Sequence, residues 1–181
     1  MLCRRRKCCN FSSRAKDMIY KTSLDGLAKT VTITVTALFT VIIIAQFSPI
    51  TSEGIPNKLF VPVLLGSIYF ITYAFRPIKY EVNDHNLIIR RLVGDVKISL
   101  KEIITAERID SGKTSWAWRI FGVGGLFGYY GKFTNTQLGS MTWYATRRDK
   151  IVLVKTKTGK KIILTPDEPE QFTQGLNKSC H

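Results

Sequence analysis

The chain has 181 residues, 45% of them hydrophobic, and a formal net charge of +14. This length allows one or two domains. With two histidines and four cysteines that lack paired Cys-x-x-Cys spacing, neither a zinc site nor a His-based triad can be assembled, so we expect no enzyme activity, metal or cofactor. The positive charge is divided between the N-terminal segment and the later strands, which argues against a nucleic-acid partner.

Residues 1–29 are polar and hold eight lysines and arginines, which predicts a basic cytoplasmic tail. Basic residues beside a membrane span usually report topology and attraction to anionic lipid. Cys3, Cys8 and Cys9 flank the basic cluster and suggest acylation. A disordered tail with incidental cysteines and a translation start at Met18 are the alternatives.

Two stretches, residues 30–52 and 59–75, contain no charged residue. A membrane helix needs roughly 17–25 mostly apolar residues, so we predict a transmembrane helical hairpin over residues 30–76. Residues 31–36 alternate apolar and hydroxyl side chains, as a half-buried strand would. The alternation stops at Ala37, however, and Thr32, Thr36 and Thr40 form one stripe on a helix. The pattern therefore favours a helix.

The loop between the two runs carries only Lys58 against Glu53, whereas Arg76 and Lys79 follow the second run. The positive-inside rule then places both termini in the cytoplasm and the loop outside. The predicted location is the cell membrane, with two spans.

After Arg76 the sequence changes to short β-rich segments separated by turn residues. Seven strands are predicted, at residues 80–82, 87–90, 96–99, 103–109, 141–147, 151–156 and 161–165. Since no helix separates them, an antiparallel sandwich or barrel is favoured. Asp167 and Pro169 are typical of a helix start, and Phe172 and Leu176 form one apolar stripe on a single C-terminal helix.

The stretch of residues 110–140 has no clear period and holds seven of the thirteen glycines. Its glycines suggest a phosphate loop, but no Gly-Lys-Ser/Thr ending follows. Two interpretations stay open: packing over the sheet, or an interface with the bilayer, the hairpin or a partner. The candidate contact residues are Trp116, Trp118, Phe121, Gly122, Gly124, Gly125, Phe127, Gly128, Tyr130 and Gly131.

Several dispersed motifs occur in a familiar order. They are the glycine/aromatic run at residues 121–131, Leu138-Gly139, Tyr144-Ala145-Thr146, residues 151–154, Thr165-Pro166-Asp167 and residues 169–172. Over residues 78–176 the sequence resembles the bacterial PH-domain (pleckstrin-homology-like) family of small membrane proteins. The resemblance implies a PH-like domain over residues 77–177, a membrane address and no catalytic residues.

Eukaryotic domains of this fold often bind phosphoinositides through basic residues on the first two strands and the loop between them. The corresponding turn here, residues 83–86, has no lysine or arginine. We therefore do not expect that type of lipid binding.

The sequence thus predicts a membrane-anchored binding or scaffold module that tethers a cytoplasmic domain for protein or lipid contacts, with a protein partner or a second copy of the chain. The alternative is an accessory subunit of a membrane enzyme or transporter, with a small-ligand site at the glycine/aromatic stretch.

Overall fold

The computed structural model describes residues 18–46, 55–110, 112 and 118–179, with backbone alone at residues 55–58, 118 and 119. Its helices are α1 (Gly26–Gln46), α2 (Ile55–Ala74) and α3 (Pro169–Ser179), with a 3₁₀ turn at Leu100–Glu102. Its strands are β1 (Met18–Lys21), β2 (Pro77–Val82), β3 (Asn86–Arg91), β4 (Val96–Ser99), β5 (Ile103–Ile109), β6 (Trp118–Gly124), β7 (Tyr129–Asn135), β8 (Gly139–Ala145), β9 (Ile151–Thr156) and β10 (Lys161–Leu164).

The first apolar run is helical, as the threonine stripe predicts. The hydroxyls of Thr32, Thr36 and Thr40 each donate to the carbonyl four residues earlier, at 2.7–2.9 Å. These bonds satisfy the hydroxyl groups within the helix, so that the hydroxyls need no partner from lipid or water. The helix begins at Gly26, before the predicted start, because the Asp25 carboxylate caps it by accepting from the Ala28 amide at 2.8 Å.

Helices α1 and α2 lie against each other, with the start of α1 beside the end of α2. Thr36 Oγ1 is 2.9 Å from the Tyr69 hydroxyl, and the rings of Phe39 and Tyr69 are 6.3 Å apart. Within the described residues only α1 is long and apolar enough to cross a membrane, at a mean hydropathy of 2.1. The apolar part of α2 is shorter and covers Leu59–Ala74.

The β-strands form two sheets. One has the order β1-β2-β3-β4, and the other has the order β5-β9-β10-β8-β7-β6. Strand β1 precedes the helices and pairs antiparallel with β2, which follows them, in the register Tyr20↔Tyr80. Residues 18–21 are therefore part of the sheet and not of a tail. Local sequence cannot show this, because the partner strand lies some sixty residues away.

Each of the seven predicted strand segments overlaps an observed strand, but the count of seven is wrong, since ten strands are present among the described residues. Besides β1, the additional strands are β6 and β7, which lie in the stretch of residues 110–140 where no clear period is present. Glycines interrupt the alternation of side chains there, and a bulge lies between Arg119 and Phe121. A period-two pattern cannot be recognised in such strands.

The core of the sandwich lies between the two sheets and is closed by α3. Its buried side chains include Tyr80, Leu87, Val152 and Leu164, together with Phe172 and Leu176 of α3. The predicted C-terminal helix and its apolar stripe are thus confirmed. A second buried cluster, around Trp143 and Ile163, occupies the opposite face of the six-stranded sheet and includes Ala28 of α1. The N-terminal end of α1 is therefore built into the domain.

Candidate membrane-docking site

The β6–β7 hairpin ends in a tight turn at residues 125–128, which we call the docking turn. The amide of Gly125 donates to the carbonyl of Gly128 at 2.8 Å. Phe127 adopts a positive φ of 58°, which is uncommon for a residue other than glycine. This conformation directs the aromatic side chain away from the sheet and toward the helix pair.

Phe127 packs between two tyrosines of α2. Its ring centroid is 4.9 Å from that of Tyr69 and 5.3 Å from that of Tyr73, both in edge-to-face geometry. Its amide donates to Thr32 Oγ1 of α1 at 3.1 Å, and only 6% of the residue is exposed. One turn therefore contacts both helices where they meet the domain.

Two neighbours of Phe127 complete this junction. The backbone of Gly125 lies against Val31, so that a Cβ at position 125 would be 3.3 Å from Val31 Cγ1. The Tyr130 hydroxyl donates to the carbonyl of Thr72. Burial raises the pKa of the Tyr130 hydroxyl, which therefore remains protonated and able to donate at neutral pH.

A pair of glycines holds the β6–β7 hairpin at an unusually close approach. Gly122 and Gly131 lie opposite each other, with φ of 125° and 131°. A Cβ on Gly131 would be 2.2 Å from the Phe121 carbonyl oxygen and 2.6 Å from Gly122 Cα. No side chain fits in that space, so the hairpin requires glycine at these positions.

The segment just before α1 is hydrogen-bonded to residues of the domain that lie outside the β6–β7 hairpin. The amide of Ser23 donates to Asp167 Oδ1 at 3.1 Å, and the same oxygen accepts from Arg147 at 3.0 Å. The Thr146 hydroxyl donates to the Ser23 carbonyl at 2.8 Å. The short connection between β1 and α1 is thereby held by residues that follow β8 and β10.

The end of α2 is attached to the β3–β4 turn. The amide of Val93 donates to the carbonyl of Ala74 at 3.1 Å. The guanidinium of Arg76 lies 4.5 Å from the ring centroid of Tyr73, and that of Arg91 lies 5.4 Å from Phe75. Cations stacked on aromatic rings at the end of an apolar helix are typical of a membrane–water boundary.

The predicted contact residues have different surroundings. Gly125, Phe127 and Tyr130 contact the helices, whereas Gly122, Gly128 and Gly131 meet the backbone of neighbouring strands. Phe121 is 77% exposed, and Gly124 pairs with Tyr129 at the end of β6. Trp116 lies outside the described residues, and Trp118 lies in β6 with its side chain outside the description.

Sequence reasoning missed the helix residues that receive the docking turn, namely Thr32, Tyr69, Thr72 and Tyr73. Tyrosines near the end of an apolar run were the available signal, because their polar tips favour the interface. In the described part of the chain, no three His, Cys, Asp or Glu side chains are grouped as a metal site would require.

The fold is a PH-like sandwich closed by a C-terminal helix, with two apolar helices inserted between its first two strands. The family model for the bacterial PH domain matches residues 78–180. Because this match covers more than half of the chain, the protein belongs to the bacterial PH domain family. No curated protein and no solved structure matches the chain.

Proposed function

We propose that the protein is a membrane-anchored PH-like module without catalytic activity, which presents its domain at a fixed position against the inner face of the cell membrane for protein or lipid contacts. The observation that carries this proposal is the insertion of Phe127 between Tyr69 and Tyr73 at the base of the helix pair. A domain held by such a contact has a fixed orientation relative to the helices and is not joined to them by a flexible linker alone.

The pairing of β1 with β2 supports two membrane crossings. β1 precedes α1 and β2 follows α2, yet the two strands are hydrogen-bonded in one sheet. They must therefore lie on the same side of a membrane, so α1 and α2 either both cross or neither crosses. A helix of 21 residues such as α1 is about 31 Å long, close to the thickness of the hydrocarbon core.

The exposed side chains of the helices support the crossing. Ile33, Val41 and Phe60 are each more than 60% exposed, and their burial in water-free surroundings would be favourable. The basic residues before α1 and Arg76 after α2 favour a cytoplasmic position for the domain. Confinement beside the membrane raises the effective concentration of the domain for any partner located there.

Fractionation of cells that express the full chain tests the anchoring. We expect the protein to remain in the membrane pellet after a wash in alkaline carbonate, and to be released by detergent. Release by carbonate alone would contradict the anchoring, since the helices would then lie outside the lipid.

Cysteine labelling in intact bacterial cells tests the two crossings. With Cys3, Cys8, Cys9 and Cys180 replaced by serine, a single cysteine is introduced as Ser52→Cys in the loop or as Lys101→Cys in the domain. An impermeant maleimide should label position 52 in intact cells, and position 101 only after lysis. Labelling of both positions, or of position 101 alone, in intact cells would show the topology to be wrong.

A further inference from the structure

A cavity of about 750 Å³ lies between the last turns of α2 and the part of β6, β7 and β8 that extends past the four-stranded sheet, on the same face of the six-stranded sheet. We call it the interfacial cavity. It lies beside the C-terminal end of α2, next to the docking turn. Its volume is within the range of pockets that hold small ligands.

The cavity exists because the six-stranded sheet extends past its partner. The four-stranded sheet and α3 cover β5, β9 and β10, whereas the cross-strand row Phe121–Lys132–Thr142 has α2 as its neighbour instead. The parallel row Val123–Tyr130–Tyr144 forms the adjoining part of the floor. Helix α2 and the end of the six-stranded sheet thus lie next to each other without filling the space between them.

Most of the lining is apolar. Ile71 and Phe75 of α2 form one wall, and Ile120 and Phe121 of β6 form the opposite rim. Ile120 is 62% exposed and Phe121 is 77% exposed. Large apolar side chains at such exposure are costly in water but suit contact with acyl chains.

Among the described residues, two cations and no carboxylate line the cavity. Lys132 lies on its floor, and Arg91 lies beside Tyr144, with 5.8 Å between the guanidinium and the ring centroid. The Arg91 guanidinium donates to the Gly94 carbonyl at 2.7 Å. Within the described residues neither cation forms an ion pair.

The neighbouring residue of β3 shows the contrast. Arg90 is paired with both Glu81 and Asp95, so its charge is neutralised within the domain. The Arg91 side chain lies on the opposite face of β3, against the rings of Phe75 and Tyr144, and its charge is not neutralised by a carboxylate of the described residues. A strand that neutralises one arginine and leaves the next unpaired over an apolar cavity favours an external anion there.

We propose that the interfacial cavity binds one anionic glycerophospholipid from the leaflet that faces the domain, with its phosphate between Arg91 and Lys132 and its acyl chains along Phe75, Ile120 and Phe121. This inference rests on the proposed membrane anchoring and names the ligand class of the anchored domain. A lipid in this position adds contacts between α2 and the hairpin. The domain would then distinguish anionic from neutral membrane.

The test is a titration of the full chain in non-ionic detergent with dioleoyl phosphatidylglycerol or dioleoyl phosphatidylcholine, with bound lipid counted by native mass spectrometry. We expect the phosphatidylglycerol complex to be roughly tenfold tighter or more, since each basic residue near an anionic headgroup has a substantial effect. Lys132→Gln should weaken phosphatidylglycerol binding about fivefold and leave phosphatidylcholine binding unchanged.

Three controls test whether the lipid binds at this cavity through the two cations. Lys157→Gln removes another exposed cation, in the β9–β10 turn, and should have no effect. Arg91→Lys should retain the preference for phosphatidylglycerol, whereas Arg91→Gln should lose about fivefold in affinity, which separates charge from structure at this position. Glycerophosphoglycerol, the headgroup without acyl chains, should not displace the lipid at equal concentration.

Equal affinity for the two lipids, or equal behaviour of Lys132→Gln and Lys157→Gln, would overturn the proposal. Displacement by glycerophosphoglycerol would also overturn it and would indicate a site for a soluble phosphate compound. Loss of lipid selectivity in a chain that still resists carbonate extraction would leave the anchoring intact, so failure of this inference can be distinguished from failure of the proposed function.

Discussion

The two ends of the six-stranded sheet are stabilised by different parts of the chain. At the β5–β9–β10 end, side chains such as Val152, Val154 and Ile162 pack on the four-stranded sheet and on α3. At the β6–β7 end, the hairpin is held by Thr32, Tyr69 and Thr72 of the two apolar helices. One end is closed by the domain itself, and the other is closed by the two apolar helices.

This difference shows how a domain can be oriented by helices that are inserted between two of its own strands. The family match begins at residue 78, after both helices, and includes the hairpin but not the residues that receive it. Burial between sheets stabilises the first end in water. The second end requires contacts that exist only where helix and hairpin meet, so changes there should affect orientation as well as stability.

Gly131→Ala should have one of the two largest effects on the β6–β7 end. Its Cβ would overlap the Phe121 carbonyl and Gly122 Cα, so the hairpin must open, at a cost of about 3 kcal/mol. Thermal unfolding of the full chain in detergent measures the loss. Gly159→Ala is the matched control, because Gly159 has a φ of 75° and open space around it, and it should cost only about 1 kcal/mol. Equal losses would contradict a steric cause.

Phe127→Ala should separate the hairpin from the helices without disturbing the β5–β9–β10 end. Loss of a buried aromatic side chain costs about 3 kcal/mol, and amide exchange should increase in β6, β7 and the end of α2. Phe121→Ala, at a residue that is 77% exposed, should change stability by less than about 0.5 kcal/mol. If exchange increased uniformly through both sheets, the two ends would not be independent.

Tyr130→Phe should have a smaller effect, because it removes a single hydrogen bond to the Thr72 carbonyl. We expect a loss of about 1 kcal/mol in unfolding free energy, and faster exchange near the end of α2. Tyr144→Phe is the control in the adjacent strand. Similar amide exchange rates near the end of α2 in both variants would show that the Tyr130 hydroxyl does not stabilise α2 against the hairpin.

The smallest effect should be a contribution to the pH dependence of stability that comes from the four-stranded sheet. Although burial opposes it, hydrogen bonds from Lys79 and Arg90 lower the pKa of Glu81 below its ordinary value of 4.5. The stabilisation from these pairs is therefore complete above pH 4.5 and is lost as the pH falls through the folded-state pKa. The change is about 1 kcal/mol or less.

Glu81→Gln should flatten this acid dependence in unfolding experiments between neutral pH and pH 3, a range of roughly four units around the carboxyl transition. Asp84→Asn, in the exposed β2–β3 turn, is the control and should leave the dependence unchanged. A steeper acid dependence in Glu81→Gln would contradict the sign of the pKa shift.

Much of the fold could be predicted from local patterns. The charge-free runs predict the apolar helices, and Phe172 with Leu176 predicts the face that α3 buries. The turn at residues 157–160 predicts the β9–β10 hairpin, in which the amide of Thr156 donates to the Lys160 carbonyl at 3.0 Å. These features were predictable because each depends on side chains within a few residues of one another.

The docking site was only partly predictable. The concentration of glycines and aromatics marked residues 121–131 as unusual, but not as a hairpin. Its partners on the helices lie some sixty to ninety-five residues away in the chain, as for Tyr130 with Thr72 and Phe127 with Thr32. No local pattern reports a contact of that separation.

By itself the sequence determined which segments avoid water and which alternate between water and a core, because hydrophobic periodicity is a local property. Only the tertiary structure decided that β1 joins β2 across the helix pair, that Phe127 fills the base of that pair, and that Arg91 and Lys132 share one cavity. Those arrangements depend on strand register and on the close backbone approach at Gly122 and Gly131. Both are established only when distant segments of the chain pack together.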